Sequence, residues 1–242
     1  MDADLPKCDF IEELMKIHGI TLEIHQVTTE DGYILSLYHM KCERSCSHRR
    51  PPVLLVHGLG SNGAVWVNVK NGLGYYLADN GYDVWLANCR GTVFSNKHVI
   101  FNCNKDRRKY WDFSWHEIGY YDIPAFIDCV LEKTHFSKIF YIGHSQGTTV
   151  FMVLMSTRPE YNTKICLCTM LAASAIYDNT VGVDSVVKYT SARFLQMLFD
   201  LFGNSPIPFV IRWRQITKML ASTSWTREYI LFPVMIKLLP FF

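Results

Sequence analysis

After Ser145 the sequence contains no histidine. The nine histidines stand at 18, 25, 39, 48, 57, 98, 116, 135 and 144, all before that serine. The eight cysteines include no C-x-x-C pair, so their spacing gives no metal site, and no cofactor is expected. Cys42 and Cys46 flank a polar loop at bridging distance in sequence, while Cys166 and Cys168 share one face of an expected buried strand; the redox compartment stays open. No N-x-[ST] sequon occurs, and MDADLPKCDF lacks the apolar centre of a signal peptide, so neither common mark of secretion is present. Charged residues are scarce at 19% against 49% hydrophobic, which excludes an intrinsically disordered chain. The net charge is +2 with basic residues scattered, so nucleic acid is not an expected partner, and the short cluster Lys105 to Lys109 reads as a solvated loop. A long uninterrupted apolar run is also missing. The most apolar stretch, Tyr229 to Phe242, carries Lys237, Pro233 and Pro240 and is too short for a transmembrane span.

What is present centres on Lys138 to Leu154, KIFYIGHSQGTTVFMVL. Ile139 to Ile142 is apolar and β-prone, the chain turns through Gly143-His144-Ser145-Gln146-Gly147, and an apolar segment of helical length follows. This is strand, sharp turn and helix with Ser145 at the apex. A side chain at Gly143 or Gly147 would collide with the neighbouring strand or helix. Such an elbow holds the serine Oγ out from a sheet at a helix N-terminus, where backbone N–H groups stabilise negative charge. Ser145 is therefore the candidate nucleophile and His144 an elbow residue.

The flanking pattern fits that placement. Ile11 to Ile20 reads as a short helix ending at Gly19. Glu23 to Thr29 and Tyr33 to Met40 alternate around Glu30-Asp31-Gly32, a β-hairpin with an Asp-Gly turn. After the polar loop Lys41 to Arg50, Pro52 to Val56 is fully apolar, as in a buried parallel strand. It runs into His57-Gly58-Leu59-Gly60, where hydrolases with such an elbow place half of the oxyanion hole. The backbone N–H groups of Leu59 and Gln146 are the candidate donors. Gly72 to Asn80 is an expected helix and Tyr82 to Ala87 a strand. Asp122 to Lys133 is an expected helix with Asp122 as N-cap and Ile123, Phe126, Ile127, Val130 and Leu131 on one face. Ile165 to Ala172 is a further buried strand. Alternating strands and helices imply an α/β fold, a mostly parallel sheet covered on both faces. Residues 1–172 are expected to form the N-terminal part of this core. From Ala173 helical patterns take over, with Ser191 to Phe202 amphipathic, and residues 173–242 read as an incomplete cap.

Together these residues resemble the acid lipases, the family of the gastric and lysosomal enzymes. The matching stretches are VTTEDGYIL at Val27, HGL at His57, LADNGYDVWLANCRG at Leu77 and SNKH at Ser95. YWDFSWHEIGYYDIPAFID at Tyr110 and YIGHSQGTT at Tyr141 complete them, in the family's order and spacing. The resemblance implies an α/β-hydrolase fold with a helical cap, acting on fatty acyl esters such as triacylglycerols or sterol esters at a lipid–water interface. It implies Ser145 as nucleophile, Leu59 and Gln146 at the oxyanion hole, and secretion or delivery to lysosomes. His116 departs from it, standing where the family carries an acidic residue before Glu117, at an expected helix start.

The triad in this fold runs nucleophile, acid, histidine. Asp178, Asp184 and Asp200 follow Ser145, but without a later histidine none has a base to orient. His57, His98 and His116 are near-pocket candidates without being expected bases. The chain is thus expected to lack the triad acid and base, to end inside the cap, to begin downstream of the natural N-terminus, and to be inactive alone. The competing class is a non-catalytic lipid-binding or interaction protein that keeps the pocket without the chemistry.

Overall fold

The computed structural model describes residues 19–42, 50–69 and 72–174. Residues 106–112 belong to a second unit and hold a single helical turn α2 (Arg107–Tyr110) where a loop was expected.

Among the described residues the strands make one seven-stranded sheet in the order β1-β2-β4-β3-β6-β7, with β5 paired to β2. The hairpin strands β1 (Ile20–Thr28) and β2 (Tyr33–Cys42) are antiparallel, and β2 runs antiparallel to β4 (Asp83–Asn88). From there β4, β3 (Pro52–Val56), β6 (Ile139–His144) and β7 (Ile165–Leu171) are parallel, and β5 (Lys97–His98) is short. The mixed sheet follows from connection length: the Asp-Gly turn can only join antiparallel strands, whereas the crossovers α1 (Leu73–Asp79), α4 (Ile123–Thr134) and α5 (Gln146–Thr157) return the chain to parallel ones.

Alternation along the strands builds two cores. Tyr38, Met40, Val53, Leu55, Val84 and Leu86 point to one face, where Trp66, Tyr75 and Ala78 cover them. Leu54, Trp85 and Tyr141 point to the other, where Phe126, Ile127 and Val130 of α4 and Leu154 of α5 are fully or almost fully buried. All five residues of β3 are buried, because it lies between β4 and β6 under helices on both sides.

Three expectations change. Ile20, expected to close a helix, opens β1 instead, after Gly19 with φ 68°. The expected strand at Ile165 exists, but Leu167, Met170 and Leu171 are exposed, and among the described residues β7 pairs with β6 alone. Asp122 does not cap α4. A π-helical turn, Ile118–Asp122, already precedes that helix, so Asp122 has helical backbone angles and makes no side-chain cap bond. The helix expected in residues 11–20, residue Cys46, the cap at 173–242 with its helix at 191–202, and Asp178, Asp184 and Asp200 lie wholly or mostly outside the described residues.

Candidate active site

Strand β6 ends at His144, and the next residue turns the chain into α5. Ser145 makes that turn with φ 50° and ψ −114°, a conformation that L side chains rarely adopt. Close packing leaves no alternative. A Cβ on Gly143 would lie 2.6 Å from the Gly147 carbonyl oxygen, and a Cβ on Gly147 would lie 2.5 Å from that of Val56. Both glycines of G-x-S-x-G are therefore demanded by the crossing of β6, α5 and β3.

Hydrogen bonds then hold the apex from both sides. The Ser145 N–H donates to the Leu171 carbonyl of β7 at 2.9 Å. The Ser145 carbonyl accepts from the Thr148 N–H at 2.8 Å and its hydroxyl at 2.6 Å. The buried Tyr141 hydroxyl donates to the Gly147 carbonyl at 2.7 Å. The serine's own N–H is committed to β7, while the N–H of Gln146, the first residue of α5, has no intrahelical acceptor.

The loop after β3 lies against this apex. A Cβ on buried Gly58 would come within 3.2 Å of the Ser145 Cβ and 3.1 Å of His144 Nδ1, so the two loops approach closely here and a side chain at 58 would press on the apex. Leu59, next along, has a 56% exposed side chain. Ser145 and Gln146 are half-buried, Gly143 and Gly147 buried, and His144 exposed. The two segments picked from sequence, 57–60 and 143–147, are thus brought together.

His57 fixes the loop and cannot serve as a base. Its Nδ1 faces the Gly58 carbonyl at 2.8 Å, and its Nε2 accepts the Cys89 N–H at 3.2 Å, so it is the neutral Nδ1–H tautomer. Burial pushes its pKa down, only partly opposed by the bond to Gly58. His98 is likewise committed: Nδ1 accepts from the N–H groups of Ile100 and Phe101, and Nε2 donates to the Asp31 carbonyl at 3.0 Å. His116 lies in the helical turn α3 (Trp115–Glu117), begun by a Ser114–Glu117 capping box, and its ring stacks on Tyr120.

Sequence inspection missed the charged centre beside Cys89. The buried Arg90 side chain donates from Nε to Asp122 Oδ1 at 2.7 Å and from its two terminal nitrogens to Asp31 at 2.6 and 2.8 Å. Its backbone N–H adds a bond to Asp122 Oδ2 at 2.8 Å, and Tyr33 lies under the guanidinium at 3.9 Å. Burial raises the Asp122 carboxyl to about 6 against the opposing pull of Arg90. One ion group thus ties the hairpin turn, the end of β4 and the start of α4. The available signal was that TEDGY, NCRG and YYDIP each carry one of its members.

Comparisons with known proteins agree with this geometry. A family model for the alpha/beta hydrolase fold matches residues 51–194, and one for a partial alpha/beta-hydrolase lipase region matches residues 11–70. Lipase 1 of Drosophila melanogaster is 47% identical over 215 residues, 87% of this chain and 47% of its own length. The gastric triacylglycerol lipase of Bos taurus is 38% identical over 189 residues, 76% of this chain and 45% of its own. A Crotalus adamanteus protein, provisionally named a lysosomal acid lipase/cholesteryl ester hydrolase, is 42% identical over 218 residues, 84% of this chain and 52% of its own. The chain spans about half the length of the curated relatives it matches. An esterase structure from Pyrococcus furiosus superposes with TM-score 0.53 at 18% identity, over 78% of this chain and 64% of that one, which speaks for the fold alone. On these grounds the chain belongs to the alpha/beta-hydrolase family.

Proposed function

We propose that the whole protein is a carboxylic ester hydrolase of lipase type, with Ser145 as its nucleophile and fatty acyl esters as its substrates. The observation that carries this is the strained Ser145 at the apex between β6 and α5, with the His57–Gly60 loop packed against it. Backbone strain at a serine, enforced by two glycines, presents one hydroxyl at a helix N-terminus.

In the proposed reaction Ser145 Oγ attacks the ester carbonyl while a base takes its proton. The carbonyl oxygen becomes an anion held by the N–H groups of Leu59 and Gln146. Its collapse expels the alcohol, leaves an acyl-serine, and water then releases the fatty acid. Loss of one such donor typically costs ~3 kcal/mol of barrier. The base is not His57, whose Nε2 is occupied by Cys89. No histidine follows Ser145 in the sequence. We therefore place acid and base in the part of the relatives' length that these 242 residues do not span. Relatives named for triacylglycerol and cholesteryl ester support a lipid ester as substrate, and gastric and lysosomal names support a secreted or lysosomal setting.

The test is labelling of the full-length protein with a fluorophosphonate, alongside hydrolysis of a short p-nitrophenyl ester. Both should vanish in Ser145→Ala. Binding of fatty acyl esters with neither labelling nor turnover would favour a non-catalytic lipid-binding protein.

A further inference from the structure

We propose that Glu23, His25 and His39 form a divalent-cation site, suited to zinc, on the hairpin β1–β2. Glu23 and His39 are directly paired across the two strands, and His25 lies two residues along on the same face. One ligand atom from each falls within 4.8 Å of the others. His25 Nε2 stands 3.8 Å from one Glu23 oxygen and His39 Nδ1 3.7 Å from the other. Ligand atoms around a tetrahedral zinc lie ~3.3 Å apart, given metal–ligand bonds of ~2.0–2.2 Å. A small inward movement of three side chains would close the site.

Two further features point to a cation. His25 Nε2 is buried and has no hydrogen-bond partner, an orphan that needs explanation. His39 Nε2 faces Asp83 Oδ1, an arrangement in which the ring donates to the carboxylate and turns the lone pair of Nδ1 toward Glu23. That is how a metal-bound histidine is usually oriented, its far nitrogen held by a carboxylate. Trp85 fixes both rings in place: His39 stacks on it at 4.0 Å with 3° between planes, and His25 packs against it at 5.1 Å. Lys41 competes, since its ammonium is paired with Glu23. Two imidazoles and a carboxylate suit zinc better than calcium or magnesium, which prefer oxygen.

The test is zinc uptake by the full-length protein, measured by calorimetry in metal-depleted buffer, with cobalt as a visible probe. The wild type should take up zinc at this site, and cobalt should show the absorption of a nitrogen- and oxygen-ligated ion. His25→Ala and His39→Ala should abolish this uptake, and Asp83→Asn should weaken it ~10–100-fold. Lys41→Met should bind at least as tightly as the wild type. Glu23 is 41% exposed at its side chain, so Glu23→Gln keeps the fold even if a histidine variant does not, and it too must weaken binding. No uptake by the wild type, or uptake unchanged in Glu23→Gln and the histidine variants because the ion sits on cysteines, would overturn the proposal.

Discussion

Arg90 and Asp122 are bound to each other twice over, the Asp122 carboxylate accepting both the side chain and the backbone N–H of Arg90 with neither side chain exposed. Asp31 shares the guanidinium from a partly exposed position. Removing one partner of a buried pair strands the other. Asp122→Ala should therefore destabilise the protein by ~3–5 kcal/mol, as breaking a buried ion pair does. Asp31→Asn should cost less, because water reaches that side. Urea denaturation midpoints for the two variants check the order, and equal losses would contradict it.

A pH effect follows from His57. Burial holds its folded-state pKa below the usual histidine value, so the unfolded chain takes up a proton near pH 6.5 that the folded one refuses. The stability this residue contributes is present above that pH and is lost as pH falls below it. In His57→Gln the new amide would keep an acceptor for the Cys89 N–H without a titrating ring. The melting temperature of His57→Gln, compared with wild type at pH 7.5 and pH 5, should close on or overtake the wild type at the lower pH. Comparing the two proteins at each pH cancels the contribution of Asp122 and the other histidines.

Close approach sets a third expectation. Gly147→Ala would put a methyl group 2.5 Å from the Val56 carbonyl oxygen, and neither backbone can retreat without shifting β3 or α5. The variant should lose more than ~2 kcal/mol of stability, in the range of overpacked cores, together with its activity. Gly60→Ala has open space and should disturb packing least, although its φ of 71° adds some strain.

Local pattern revealed the elements that depend on local chemistry. Pro52 to Val56 was legible to the residue because five apolar positions between breakers admit one buried strand. The elbow was legible from its glycine spacing, although only Gly143 answers to contacts within a few residues, with Gly147 and Thr148, while Gly147 is demanded by Val56 of the distant β3. Asp122 was misread for the opposite reason: an aspartate before a helix looks like a cap, and only the fold brings Arg90 to it from 32 positions away. The exposure of β7 was hidden too, since apolar composition does not tell how many neighbours a strand has, and among the described residues β7 has one. The cation cluster depends on hairpin register, in which His39 meets Glu23 across the ladder.

Ser145 combines strain with the proposed chemistry, and two substitutions separate the parts. Alanine removes Oγ but retains a Cβ at φ 50°, whereas glycine removes both the hydroxyl and the side-chain penalty of that conformation. In the full-length protein both variants should lose ester hydrolysis and fluorophosphonate labelling, because no neighbouring residue supplies another nucleophile at the apex. Their stabilities should differ: Ser145→Gly should exceed Ser145→Ala by ~1 kcal/mol, the lower end of the cost of such backbone strain. Gln146→Ala keeps the backbone donor, so it should slow turnover while leaving the serine open to the probe. Equal melting temperatures for the glycine and alanine variants would show that the elbow is relaxed in solution. Persistent labelling of either at the active site would assign the nucleophile elsewhere.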